Sequence, residues 1–193
     1  MPETKRHLEL RTALYQILKL AWSDRACIGS EQFVYWNAAD PRRCLSPDVF
    51  VRTGQPDALF GSWKTWERGA PELAVEIVSD SDASEPSLEE KLERYRELGV
   101  LELVRFDADA APGGQLRAWD RIDGDLVERK VVDDKTPCVT LELFWVVRPA
   151  GEHPAAIRLA RDPSGDALLP TPDEAREAAE RRVAELEAEL ARR

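Results

Sequence analysis

The chain has 193 residues, of which 43% are hydrophobic and 33% are charged, and its formal net charge is −10. This composition is typical of a globular protein and excludes a wholly disordered chain. Neither residues 1–110 nor the remainder carries net positive charge, which argues against a protein that coats nucleic acid through a basic surface. No apolar run has the length of a membrane span, and MPETKRHLEL lacks the apolar core of a signal peptide.

The cysteines and the absence of certain short motifs exclude several kinds of functional site. Cys27, Cys44 and Cys138 are odd in number and widely separated, so they predict neither a disulfide framework nor a zinc site. We therefore expect a protein of the reducing cytoplasm that has no membrane partner. The sequence also lacks the G-x-S-x-G elbow of serine hydrolases and the G-x-x-x-x-G-K-[ST] phosphate loop. Carboxylates remain as the main candidates for catalysis.

Hydrophobic spacing predicts the elements of the first third of the chain. Apolar residues at helical intervals predict a helix over residues 6–22. Short β-prone segments over 32–36 and 48–52 predict strands, with a loop over 37–47 between them. The connection over 53–71 is unusually long for a compact domain, and loops of that length are often functional.

The next region predicts a parallel pair of strands. LAVEIV over 73–78 is the strongest strand of the sequence. A polar turn over 79–85 precedes a helix from Pro86 to Leu98, and another strand spans 101–106. A strand, a helix and a strand within so short a stretch form a βαβ unit, whose strands are parallel neighbours.

Further strands complete the predicted sheet. Asp123-Gly124-Asp125 predicts a hairpin between residues 116–122 and 126–132, and another strand spans 139–147. Together these elements predict an α/β fold with a central mixed sheet flanked by helices. We expect one folded domain over residues 1–148.

The last part of the chain has a different character. Residues 149–170 are rich in proline and predict an extended tail. Residues 171–193 predict an amphipathic helix, because Thr171 and Glu174 have the spacing of a capping box. Its apolar stripe follows coiled-coil spacing and must be covered, either by the helix's own domain or by a second copy in a homodimer.

Two acidic residues stand out by their position. Asp48 begins an apolar strand, and Glu76 lies inside the strongest one. A buried carboxylate is costly unless it is paired or bound to a metal. Carboxylates on adjacent strands can hold a hard cation such as Mg²⁺, and Lys91 on the following helix can act on an attacking water. From spacing alone, the alternative is that all three are solvated surface groups or turn caps.

An ordered set of short segments resembles a known family. The segments are PDVFV over 47–51, Trp63-x-x-Trp66-Glu67, PELAVEIVS over 71–79, Lys91-x-x-x-Tyr95-x-x-x-Gly99-Val100, and Phe106-Asp107. At these separations they resemble the Uma-two family of predicted restriction endonucleases, which belongs to the PD-(D/E)XK nuclease superfamily. The resemblance covers roughly residues 7–147 and implies a restriction-endonuclease-like sheet. The tail and its helix also resemble the family's C-terminal extension.

The resemblance implies a role for individual residues. Asp48 and Glu76 match the two acids of the family motif and would bind Mg²⁺ or Mn²⁺, with the backbone carbonyl of Ile77 as a further ligand. The superfamily's lysine would stand two residues after Glu76, and Lys91 matches its place in this family. His7 matches a histidine of the family's first helix and is expected either to line the same cleft or to be structural.

Substrate contacts are predicted near the acids. Arg42 and Arg43 precede the first acid and are candidates for DNA phosphates, while Lys64 and Trp66 lie in the long connection. The alternatives are exposed loop charges and tryptophans that pack the loop onto the sheet. The leading prediction is a Mg²⁺-dependent endonuclease acting on DNA phosphodiesters. The alternative is a catalytically silent nuclease-fold module that assembles through its C-terminal helix.

Overall fold

The computed structural model describes residues 4–78 and 87–192. Within these ranges four helices and twelve strands are formed. The helices are α1 (Lys5–Trp22), α2 (Thr65–Arg68), α3 (Leu88–Leu98) and α4 (Pro172–Leu190). The strands are β1 (Ala26–Gly29), β2 (Val34–Tyr35), β3 (Cys44–Leu45), β4 (Val49–Thr53), β5 (Trp63–Lys64), β6 (Leu73–Ile77), β7 (Glu102–Phe106), β8 (Leu116–Ile122), β9 (Asp125–Arg129), β10 (Lys135–Cys138), β11 (Leu143–Ala150) and β12 (His153–Ala160).

The main sheet is mixed, as predicted. Its strand order is β1-β4-β6-β7-β8-β9, and β6 and β7 are its parallel pair. The connection between β6 and β7 passes through α3, which confirms the βαβ unit. Two short sheets, β3-β2-β5 and β10-β11-β12, complete the described fold.

Alternation along β6 separates two cores. Leu73, Val75 and Ile77 pack on the face that α1 covers, whereas Ala74 packs on the face that carries Tyr95 of α3. A strand with apolar residues on both faces must be covered on both sides, which explains the near-continuous hydrophobic run.

Local chemistry fixes where the elements begin and end. Ser87 and Glu90 form a capping box at the start of α3, and Gly99 ends this helix in the left-handed conformation. The predicted helix start at Pro86 and the predicted turn over 79–85 lie outside the described residues. Asp123 and Gly124 form the two-residue loop between β8 and β9, and both have the positive φ that such a loop requires.

The structure corrects the expectation of an extended tail over residues 149–170. This segment contains β12, which pairs antiparallel with β11 and buries Ile157 and Leu159 in the α1 side of the core. Because β12 is an edge strand of its sheet, it tolerates Pro154 near its start. The packed fold therefore continues beyond residue 148, and the prolines mark the ends of a strand and not an unstructured segment.

The C-terminal helix is held to the fold at its base alone. Thr171 and Glu174 form the predicted capping box, and Glu174 also binds the fully buried Arg158 of β12 at 2.7 Å. No described residue of α4 is buried. No helix in the described part of the chain is long and apolar enough to cross a membrane.

A buried glutamate joins the main sheet to the β10-β11-β12 sheet. Glu102 of β7 is 1% exposed. It accepts hydrogen bonds from Arg129 Nη2 at 2.7 Å, Thr140 N at 2.9 Å and Trp145 Nε1 at 3.3 Å. One carboxylate therefore ties together β7, β9, the turn between β10 and β11, and β11 itself.

Candidate active site

The register of the main sheet places the two predicted acids opposite each other. β4 and β6 are antiparallel neighbours, and Val49 pairs with Val75. Asp48 comes one residue before Val49 and Glu76 one residue after Val75, so the two acids face each other across the same strand pair. The sheet geometry itself, with no help from flexible loops, brings the carboxylates together.

Asp48 is held from three directions. Asp48 is 7% exposed, and its Oδ2 accepts a hydrogen bond from the Ile77 amide at 2.6 Å. Its Oδ1 lies 3.1 Å from His7 Nε2. Its backbone carbonyl accepts from Ser30 Oγ at 2.7 Å. The Asp48 carboxylate is therefore fixed in position before any substrate or metal binds.

His7 of α1 reaches the centre of this site. Its Nε2 lies 3.1 Å from Asp48 Oδ1 and 2.9 Å from the Ile77 carbonyl oxygen. These are two of the three groups predicted to bind metal. The Thr4 cap of α1, whose hydroxyl accepts from the His7 amide, places this histidine on the first turn of the helix.

Glu76 is bound by two residues of α3. Lys91 Nζ lies 3.0 Å from its Oε2, and the Tyr95 hydroxyl donates a short hydrogen bond to its Oε1. Lys91 and Tyr95 are four residues apart, so they lie on the same face of the helix. Tyr95 was not among the predicted site residues. The signal for it was its spacing from Lys91.

Burial and nearby charges shift the pKa values of Glu76 and Tyr95. Burial first, and then the negative charge of Asp48, raise the pKa of Glu76, while Lys91 and the Tyr95 hydroxyl act in the opposite direction. Burial and the charge of Glu76 hold the pKa of Tyr95 well above its usual range, so that Tyr95 stays a hydrogen-bond donor. The two acids thus lie in a site where added positive charge is favourable.

A second contact from α1 was also missed by the sequence reasoning. Arg11 follows His7 by one helical turn and donates to Ser30 Oγ at 3.0 Å, and it lies 3.3 Å from Glu31. Ser30 in turn holds the Asp48 carbonyl. The spacing between His7 and Arg11 was the available signal, but their common target becomes visible in the folded chain alone.

The predicted cationic substrate residues make their described contacts away from the acids. Arg42, Arg43 and Lys64 lie in or beside the β3-β2-β5 sheet, and each binds an acidic neighbour. The pairs are Arg42 Nε–Asp40 Oδ1 at 2.9 Å, Arg43 Nη1–Glu97 Oε2 at 2.8 Å and Lys64 Nζ–Glu67 Oε1 at 3.1 Å.

The two tryptophans of the long connection have different environments. Trp63 is fully buried and donates from Nε1 to the Gly69 carbonyl at 2.8 Å, as expected for a residue that packs the loop onto the fold. Trp66 is 48% exposed on the short helix α2. Trp66 therefore has the exposed ring that a contact with an unpaired base requires.

The oxygen atoms of this site suit Mg²⁺, which keeps bound water, better than a metal ion that needs three or more side-chain ligands. Among residues 4–78 and 87–192, no group of three or more His, Cys, Asp or Glu side chains is arranged to hold a metal ion. Mg²⁺ commonly takes one or two carboxylates and completes its shell with water. Asp48, Glu76 and the Ile77 carbonyl supply such oxygen donors, and burial, together with the negative charge of Asp48, raises the pKa of Glu76.

Comparison with known proteins identifies the family of the chain. Residues 1–142 match the profile of the Uma2 family, whose description is "Putative restriction endonuclease". The chain belongs to the Uma2 family. No curated protein matches this Uma2 chain by sequence.

A solved structure of another protein has a similar fold. It is the crystal structure of a putative nuclease belonging to DUF820 from Anabaena variabilis ATCC 29413. It shares 15% sequence identity, covers 74% of the Uma2 chain and 76% of its own length, and has a TM-score of 0.50. At that identity the likeness concerns the fold, and it confirms the predicted nuclease-like α/β architecture.

Proposed function

We propose that this Uma2 protein is a Mg²⁺- or Mn²⁺-dependent endonuclease that hydrolyses phosphodiester bonds in DNA. The supporting observation is the meeting of Asp48 and Glu76 across β4 and β6, with Lys91 bound to Glu76 at 3.0 Å. Membership of a family described as restriction endonucleases supports the same reaction class. No other cluster described above combines two carboxylates with a lysine at strand ends.

Each residue of the site has a distinct part in this proposal. Asp48, Glu76 and the Ile77 carbonyl would hold the metal, which polarises the phosphate and lowers the pKa of a bound water. Tyr95 keeps Glu76 in place from the buried side. Lys91 carries its positive charge at the edge of the acid pair, where it can orient the attacking water and stabilise charge that develops on the phosphate.

Replacing Lys91 with alanine is expected to lower the cleavage rate by about 10² to 10³. The ammonium group acts mainly in the transition state, whereas the carboxylates hold the metal. The measurement is cleavage of duplex and single-stranded DNA at low salt with Mg²⁺ or Mn²⁺, and Lys5→Ala, an exposed lysine of α1, is the matched control. Equal cleavage by wild type, Glu76→Ala and Lys91→Ala would identify a contaminating nuclease. Absence of cleavage of DNA or RNA despite metal binding would favour the silent module.

We also propose that α4 pairs with α4 of a second copy, giving a homodimer. Val183, Leu186 and Leu190 lie exposed along one stripe of a helix that has no buried residue. In a parallel pair with these residues at the seam, Arg182 lies opposite Glu187 of the second copy, which is the attractive arrangement of flanking charges. An antiparallel pair would instead bring glutamates of the two helices together.

Ending the chain after Glu177 is expected to convert the dimer to a folded monomer. This end point keeps Glu174 on the buried Arg158, so the domain retains its capping box and its ion pair. Light scattering measures the mass of both proteins, and circular dichroism checks that the domain is folded. The same number of subunits before and after truncation would mean that α4 does not mediate assembly.

A further inference from the structure

A small cavity lies beside the acid pair. It has a volume of about 100 Å³ and lies between the first turn of α1, Val78 after β6, and the loop that follows β7. His7 forms part of its wall, and the same imidazole contacts Asp48 and the Ile77 carbonyl. The cavity is therefore a neighbour of the candidate active site, and His7 stands between them.

The cavity wall contains a cation that sequence analysis did not select. Arg6 lies on the first turn of α1, and its Nη1 is 2.7 Å from Asp109 Oδ1. The side chains of Arg6 and Asp109 are 44% and 71% exposed. Ion pairs as exposed as this one contribute little to stability and are screened by salt. Asp109 also lines the cavity, and because its side chain is largely exposed it can turn into solvent and leave the Arg6 guanidinium to a phosphate oxygen.

The shape and chemistry of this place suit a phosphate group. A guanidinium presents a planar set of donors that matches phosphate oxygens in pairs. The cavity has the volume of roughly three water molecules, since each occupies about 30 Å³ in the liquid. By contrast, Arg42 and Arg43 lie on the β3-β2-β5 side of the fold and do not line this cavity.

The sequence of this turn departs from the usual preference of helices. The first turn of α1 carries Lys5, Arg6 and His7 and no acidic residue. Helix N-termini favour acidic side chains, so this charge pattern is locally unfavourable. Departures from local preference concentrate where a function requires them.

We infer that Arg6 and this cavity bind a backbone phosphate of the nucleic-acid substrate, next to the phosphate that is cleaved. The inference rests on the proposed nuclease function and assigns the substrate contact to α1. Arg6 is a binding residue in this arrangement. It positions the strand, whereas Lys91 acts at the reacting group.

The test compares Arg6→Gln with Lys5→Gln, because the two cations are adjacent and Lys5 points to Glu9 on the exposed side of α1. With Mg²⁺, we expect Arg6→Gln to raise KM for a short DNA about tenfold with kcat little changed. Lys5→Gln should leave both values near wild type, and Arg6→Lys should restore part of the loss.

A DNA-binding experiment tests the inference independently of the proposed nuclease activity. In a Glu76→Gln background without metal, the affinity of the same labelled DNA is measured by fluorescence anisotropy over a range of salt. Arg6→Gln should weaken binding about tenfold and reduce the salt slope by about 0.9, the change for one lost phosphate contact. Equal affinity and slope in the Arg6→Gln and Lys5→Gln proteins, or no measurable binding in any of them, would overturn the inference. If the wild type does not cleave DNA but Arg6→Gln still binds DNA more weakly than Lys5→Gln, the nuclease proposal is overturned and the inference on Arg6 is not.

Discussion

Replacing Glu76 with glutamine is expected to abolish metal-dependent cleavage and the rise in melting temperature that Mg²⁺ or Mn²⁺ produces. A metal that binds the folded chain stabilises it by mass action, and its affinity depends on both negative carboxylates. Glutamine keeps the size of the side chain but removes its charge and one of its oxygens. The loss of rate should exceed the effect of Lys91→Ala, because the metal itself is lost.

The control for this experiment is Glu67→Gln. Glu67 is half exposed on α2 and binds Lys64, so its replacement removes one negative charge without touching the acid pair. Differential scanning fluorimetry with and without metal gives the shift for wild type, Glu67→Gln, Glu76→Gln and Asp48→Asn. A shift of equal size in all four proteins would contradict a metal site at Asp48 and Glu76.

Replacing Glu102 with alanine is expected to lower the free energy of unfolding by about 3–5 kcal/mol. The change leaves Arg129, whose side chain is 13% exposed, without its closest carboxylate oxygen. It also removes the acceptor for the Thr140 amide and the Trp145 indole. Unfolding in urea at neutral pH, followed by tryptophan fluorescence, gives the difference from wild type.

Glu128→Ala provides the matched comparison. Glu128 lies on β9 and binds Arg117 at 2.7 Å, but both side chains are well exposed. Such a pair contributes about 1 kcal/mol or less. If the two variants lose stability equally, the Glu102 network does not join the sheets in the way described here.

Where a segment's own residues determined its structure, the sequence predicted it. LAVEIV alternates between two apolar faces, Thr171 and Glu174 form the predicted capping box, and Asp123-Gly124 adopts a two-residue turn. The prediction of an extended tail over 149–170 was wrong, because an edge strand accepts prolines that a central strand would not. Its strand character comes from pairing with β11, which lies outside the segment.

Some residues of the candidate site could likewise be recognised from the sequence, and others could not. Asp48 and Glu76 were recognisable as acids within apolar strands, and Lys91 through the family motif. Tyr95 stood in the family motif and Arg11 one helical turn after His7, but their contacts with Glu76 and Ser30 became visible in the folded chain, because each partner lies 19 residues away. Spacing along a helix shows which side chains share a face, whereas the group that they support depends on what packs against that face.

The ion pair between Arg158 and Glu174 bears on how the proposed endonuclease would cut both strands of a duplex. Because it holds the base of α4 to β12, this ion pair helps to set the direction in which the helix leaves the domain. In a parallel pair of α4 helices, the two-fold axis would run along the helices, and both candidate sites would lie at the same end of the pair. The stagger between the two nicks would then depend on the length of α4 and on its angle to the domain. Inserting one helical turn after Glu177 would change the stagger while leaving each centre intact.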